Sequence, residues 1–134
     1  MARNSLSALQ NFVGVHQSDP FWVGIDVHKR SYHIALLRAD HKTFTFTTTA
    51  SPDAFIEQLQ RLDILVAGVA YEAGPTGFSL ARALVAEKIP VMVAAPSKIP
   101  RSVSAGAKTD RLDCLKLAHY AAKGMIRPIA IPTA

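Results

Sequence analysis

Cysteine is nearly missing from this chain. Cys114 stands alone, which excludes an intramolecular disulfide framework and a Cys-rich zinc site and fits a reducing compartment. Charge is also scarce, at 19% of 134 residues against 49% hydrophobic, so the chain does not fall in the disordered class. No apolar run approaches the ~18–20 residues needed to span a bilayer. Residues 1–20 lack the basic start and apolar core of a secretory signal, and they read as a flexible arm with a short helix at Ser5–Val13. There is no internal repeat and no low-complexity tract. One globular domain is left.

The charge that is present is unevenly placed. The formal net charge is +5, which points to a polyanionic partner. Residues 1–95 carry eight basic and eight acidic side chains, whereas residues 96–134 carry seven basic and two acidic. A neutral body is therefore followed by a basic last third.

Apolar patterning supplies the elements. Phe21–Val27 reads as a buried strand, Ser31–Ala39 as a second, and Lys42–Thr49, alternating Phe with Thr, as a half-exposed third. The joints are so short that the three must form an antiparallel meander. Ser51-Pro52-Asp53 starts a helix, with Ser51 as N-cap and proline at the first helical position. Leu65–Ala73 is a fourth strand, Phe78–Val85 a second helix, and Pro90–Ala95 a short fifth strand. Pro96–Ala107 is a basic loop, and Thr109–Gly124 a third helix ending on glycine. The order β-β-β-α-β-α-β-α predicts an α/β domain with a mixed five-stranded sheet and helices on its faces. By analogy, that is the order of a ribonuclease-H-like domain.

Four acids occupy unusual places. Asp26 and Glu72 lie near the carboxyl ends of otherwise apolar strands, where an unpartnered carboxylate costs several kcal/mol, of order. By strand parity Asp26 shares a face with Trp22 and Gly24, and Glu72 with Gly68 and Ala70. Ligands of open α/β sheets gather at such strand ends. Asp110 and Asp113 open the third helix three residues apart, on the stripe that continues through Leu117 and Ala121. Packing of that stripe on the sheet would carry both to its rim. Four converging carboxylates suit Mg²⁺ or Mn²⁺, and a pair of such ions supports phosphodiester cleavage. Plainer readings stand beside this one: backbone N–H groups or a buried arginine for Asp26 and Glu72, and helix capping for Asp110 and Asp113.

Lys98, Arg101, Lys108 and Arg111 immediately precede or flank the helix-start acids, and Lys29 and Arg30 occupy a polar turn after the first strand. They are either solvated charges or contacts to a phosphate backbone. His28 and His33 read as surface turn and strand residues, and Cys114 and Tyr71 as packing residues.

The strings Gly24-Ile25-Asp26-Val27-His28-Lys29, Tyr71-Glu72-Ala73, Ala95-Pro96-Ser97-Lys98-Ile99-Pro100 and Lys108-Thr109-Asp110-Arg111-Leu112-Asp113 closely resemble one family. It is the bacterial insertion-sequence transposases with an Asp-Glu-Asp-Asp tetrad, relatives of Piv-type DNA invertases. The resemblance covers roughly residues 21–130, and Lys-Thr-Asp-Arg-x-Asp is its most specific part. It implies a RuvC-like catalytic domain at 21–130, with Asp26, Glu72, Asp110 and Asp113 as the tetrad holding two Mg²⁺ or Mn²⁺ ions. It also implies DNA ends and target DNA as substrates, a structured guide (bridge) RNA as partner, and a homo-oligomer in the full-length protein. The expected location is the bacterial cytoplasm, at the nucleoid, with no membrane partner. Family members continue into a serine-bearing domain that this chain lacks, so full strand exchange is not expected from it alone. Two other readings remain: a catalytically silent nucleic-acid-binding module, and an actin- or sugar-kinase-like ATPase. The ATPase would follow its Gly-Ile-Asp with a Gly/Thr/Ser-rich phosphate turn, where this chain has His28-Lys29-Arg30.

Overall fold

Strand β1 (Pro20–Val27) is apolar on both faces, which suits the middle of a sheet with cover on each side. A computed structural model of the protein describes residues 2–74, 77–95 and 113–132. Helix α1 (Ala2–Val13) and a 3-10 turn at Gly14–His16 precede β1. Then come β2 (Ser31–Leu37), β3 (Thr43–Thr49), α2 (Pro52–Leu62), β4 (Leu65–Glu72), α3 (Ser79–Ala86), β5 (Val91–Ala94) and α4 (Cys114–Ala122). The sheet order is β3-β2-β1-β4-β5, with β1 to β3 antiparallel and β1, β4 and β5 parallel. The protein is thus α/β with a mixed five-stranded sheet, as the patterning predicted.

Local chemistry sets the boundaries. The Ala54 N–H donates to Ser51 Oγ at 3.2 Å, so Ser51 caps α2 as expected, and Asp63 ends the helix in the left-handed region at φ 54°. The β1–β2 hairpin closes through the His28 N–H donating to the Ser31 carbonyl at 3.0 Å.

The two faces are covered differently. Phe21, Val23, Ile25, Ile34, Leu36, Val69 and Tyr71 form the main core with side chains of α1, α2 and α3. On the other face Trp22, Ala35, Leu37 and Ala70 pack against α4 through Leu117, Ala118 and Ala121. The expected packing of the Leu117–Ala121 stripe on the sheet is therefore observed.

Within residues 1–20, expected as an arm, α1 buries Leu9 and Val13 in the main core. Phe12 lies against Phe21 and Phe44, and the Arg38 guanidinium stands 4.6 Å above its ring. Pro20 belongs to β1. The described part of the last helix begins at Cys114, not at Thr109, with Asp113 as its N-cap; residues 96–112 lie outside the described residues. Beyond α4 the chain returns beside β5, where the Ile129 N–H donates to the Val93 carbonyl at 2.8 Å. No helix among the described residues is long and apolar enough to cross a membrane.

Candidate metal and nucleic-acid site

The last parallel rung between β1 and β4 pairs Ile25 with Tyr71. Asp26 and Glu72 are the next residues on each strand. They share the face of Gly24 and Ala70, which form the rung below them on that face. The two acids therefore stand side by side at the carboxyl ends of adjacent central strands. Glu72 is only 8% exposed and is the buried charged residue among those described.

Helix α4 reaches the same face because Gly24 has no side chain. A Cβ there would sit 2.0 Å from the Cys114 carbonyl oxygen and 2.6 Å from the Ala118 nitrogen, both backbone atoms. The first turn of α4 thus lies directly on β1, two residues before Asp26. Asp113 caps that turn, its Oδ1 accepting the Lys116 N–H at 2.9 Å. The Cys114 thiol is pushed up from its ordinary value by burial first, then by the charges of Asp113 and Asp26.

Asp26 is half-buried, and its Oδ2 lies 3.1 Å from Nε2 of His28. His33 is the cross-strand partner of Asp26, and its ring meets the His28 ring edge-on at 4.9 Å. Tyr71 points to the opposite face, where its hydroxyl oxygen accepts the Ala81 N–H at 3.1 Å. Burial pushes its phenol up, which suits a core residue.

Asp26, Glu72 and the Asp113 cap are thus brought to one end of one face. Among the described residues, however, no group of three or more His, Cys, Asp or Glu is placed to hold a metal ion. Asp110, Lys98, Arg101, Lys108 and Arg111 lie outside the described residues. Lys29 and Arg30 are exposed in the β1–β2 turn, adjoining His28. The donor set still fits a hard divalent cation, since Mg²⁺ is commonly held by one or two carboxylates together with water and substrate phosphate. The contact of His28 with Asp26 was not foreseen from the sequence, although the i, i+2 spacing on a strand is a signal for it.

A mixed α/β sheet with paired carboxylates at its strand ends defines the class of domain. The family model described as "Transposase" for the IS110 group matches residues 23–134, and the chain belongs to that family. It is 35% identical over 103 residues to the transposase for insertion sequence element IS1533 of Leptospira borgpetersenii, covering 73% of this chain. It is 39% identical over 62 residues to y4qE of Sinorhizobium fredii, which also carries transposase in its name, covering 46% of this chain. The chain spans 30% of the length of the first relative and 16% of the second in these matches.

Proposed function

We propose that this chain is the metal-dependent, RuvC-like catalytic domain of a DNA transposase, with a ribonuclease-H-like sheet, acting on DNA phosphodiesters during transposition. One observation carries the reading. Asp26 and Glu72 stand abreast at the carboxyl ends of β1 and β4, on the face that α4 crosses. Asp26, Glu72, Asp110 and Asp113 would hold Mg²⁺ or Mn²⁺. The ions supply activation of the attacking oxygen and stabilisation of the leaving one.

The remaining work falls to the chain. Gly24 lets α4 approach, so the Asp113 cap is carried on a packed helix. Glu72 is nearly excluded from solvent, where its charge acts more strongly on a neighbouring ion. Lys98, Arg101, Lys108 and Arg111, with Lys29 and Arg30 at the hairpin, would bind and orient the phosphate backbone of DNA and of a structured guide RNA. The full-length protein would act as a homo-oligomer in the bacterial cytoplasm, at the nucleoid.

Thermal unfolding tests this reading. Mg²⁺ or Mn²⁺ raises the melting temperature of the wild type, with ~2.7 kcal/mol of stabilisation at a hundredfold excess over Kd. The pair Asp26→Asn with Asp110→Asn abolishes the rise. A wild type indifferent to both ions sinks the metal site. That outcome would favour a second reading, a catalytically silent nucleic-acid-binding module, which draws on the use of the Asp113 carboxylate as a helix cap.

A further inference from the structure

We propose that His28 is a positioning residue for Asp26, braced by the ring of His33. The inference rests on the reading of Asp26 as a metal-holding carboxylate and assigns that carboxylate an outer partner.

The placement follows from the chain itself. Asp26 and His28 are two residues apart along extended backbone, so both side chains project to the same side. The backbone of His28 is fixed by its N–H bond to the Ser31 carbonyl at 3.0 Å, which closes the hairpin. Its ring is then held from two directions. Nε2–H donates to Asp26 Oδ2 at 3.1 Å, and the His33 ring packs edge-on at 4.9 Å with the planes 69° apart. His33 is in place because the antiparallel register sets it directly opposite Asp26, diagonal to His28.

Such an arrangement has a use at a cation site. With Oδ2 held by His28, Oδ1 is turned away from solvent into the protein. Fixing a carboxylate in this way removes rotational freedom that would otherwise be lost when the ion binds, and partners of this kind influence metal affinity substantially. A lysine or arginine at the same point would orient Asp26 as well, but would bring a permanent positive charge beside a divalent cation. An imidazole N–H offers the same hydrogen bond without a permanently charged group.

The test is a Mn²⁺ titration followed by the electron paramagnetic resonance signal of the free ion, on the chain as it stands. His28→Ala is expected to weaken Mn²⁺ binding roughly ten- to a hundredfold, the range for loss of an outer-shell partner. His28→Gln, which keeps an N–H donor at similar reach, restores most of the affinity. His33→Ala weakens binding in the same direction by less. His28 is 44% exposed, so circular dichroism and melting of these variants should stay close to wild type. Wild-type affinity in His28→Ala overturns the inference, and so does a His28→Gln variant as weak as His28→Ala. A wild type that binds no Mn²⁺, or an Asp26→Asn variant that binds it fully, overturns the metal reading and this inference with it. The two failures are therefore distinguishable.

Discussion

At Cys114, burial and two nearby carboxylates act in the same direction, raising the thiol above its ordinary value. A raised acid pKa means less thiolate at any given pH, and the thiolate is the nucleophile. Cys114 is therefore expected to alkylate with iodoacetamide several-fold more slowly at pH 8 than a free peptide cysteine. The rate–pH inflection should lie above ~8.5, the unperturbed thiol value. The linkage sign follows. Above that value the unfolded chain loses its thiol proton first, so the contribution to stability falls as pH rises toward the folded pKa. An inflection at or below 8.5 would mean that neither burial nor the two charges bears on the thiol. At this same scale, Asp26 and Glu72 were legible from the sequence because an acid inside an apolar strand is conspicuous. His28 was not, because its meaning depends on a ring from β2 that arrives only through the hairpin register.

Helix α4 is held where it is by a missing side chain. In Gly24→Ala the new Cβ would meet the backbone of α4 at Cys114 and Ala118, which cannot rotate away as a flexible side chain could. The helix would have to shift outward, and a loss of ~1–3 kcal/mol or more is expected from denaturant unfolding. Gly68→Ala should cost less, because its close neighbours at 2.8 and 3.0 Å are atoms of the Trp22 and Met92 side chains. Equal losses at the two positions would refute this difference. Helix α1 depends on a different link. Arg38 pairs with Asp40 through two hydrogen bonds, holding that carboxyl far below the usual carboxylate range, and donates from Nη1 to the Phe12 carbonyl at 2.8 Å. Arg38→Ala should speed amide hydrogen exchange across Leu9–Val13 while β1 stays protected. Unchanged exchange in α1 would show that its apolar contacts suffice. Strands and helices were readable from local spacing, since each period is written within a few residues. The docking of α1 was not, because it is made by Phe21, Arg38 and Phe44, which come later in the chain. The start of α4 was misplaced for a related reason. Asp110 and Asp113 both offer a capping carboxylate, and spacing alone does not choose between them.

Over the whole molecule, charge is divided between a body that carries none in sum and a last third that carries all of the +5. The neutral body supplies Asp26 and Glu72, while four of the cations lie in the segment leading to Asp113. If the chain binds DNA as proposed, that binding should respond to salt mainly through that segment. Each phosphate neutralised on duplex DNA contributes about 0.9 to the slope of log K against log salt. Replacing Lys98, Arg101, Lys108 and Arg111 together by alanine should flatten the slope by about 3–4. Removing Lys29 and Arg30 at the hairpin should flatten it by no more than about 2. On the proposed reading, in which the phosphate backbone passes the carboxyl ends of β1 and β4, Asp26→Asn removes one negative charge beside it, so it should strengthen metal-free binding slightly and leave the slope nearly unchanged. Fluorescence anisotropy with a labelled duplex over a salt series measures all of these on one protein. If the fourfold variant keeps the wild-type slope, these four side chains do not neutralise phosphates, and any contacts to the backbone come from elsewhere.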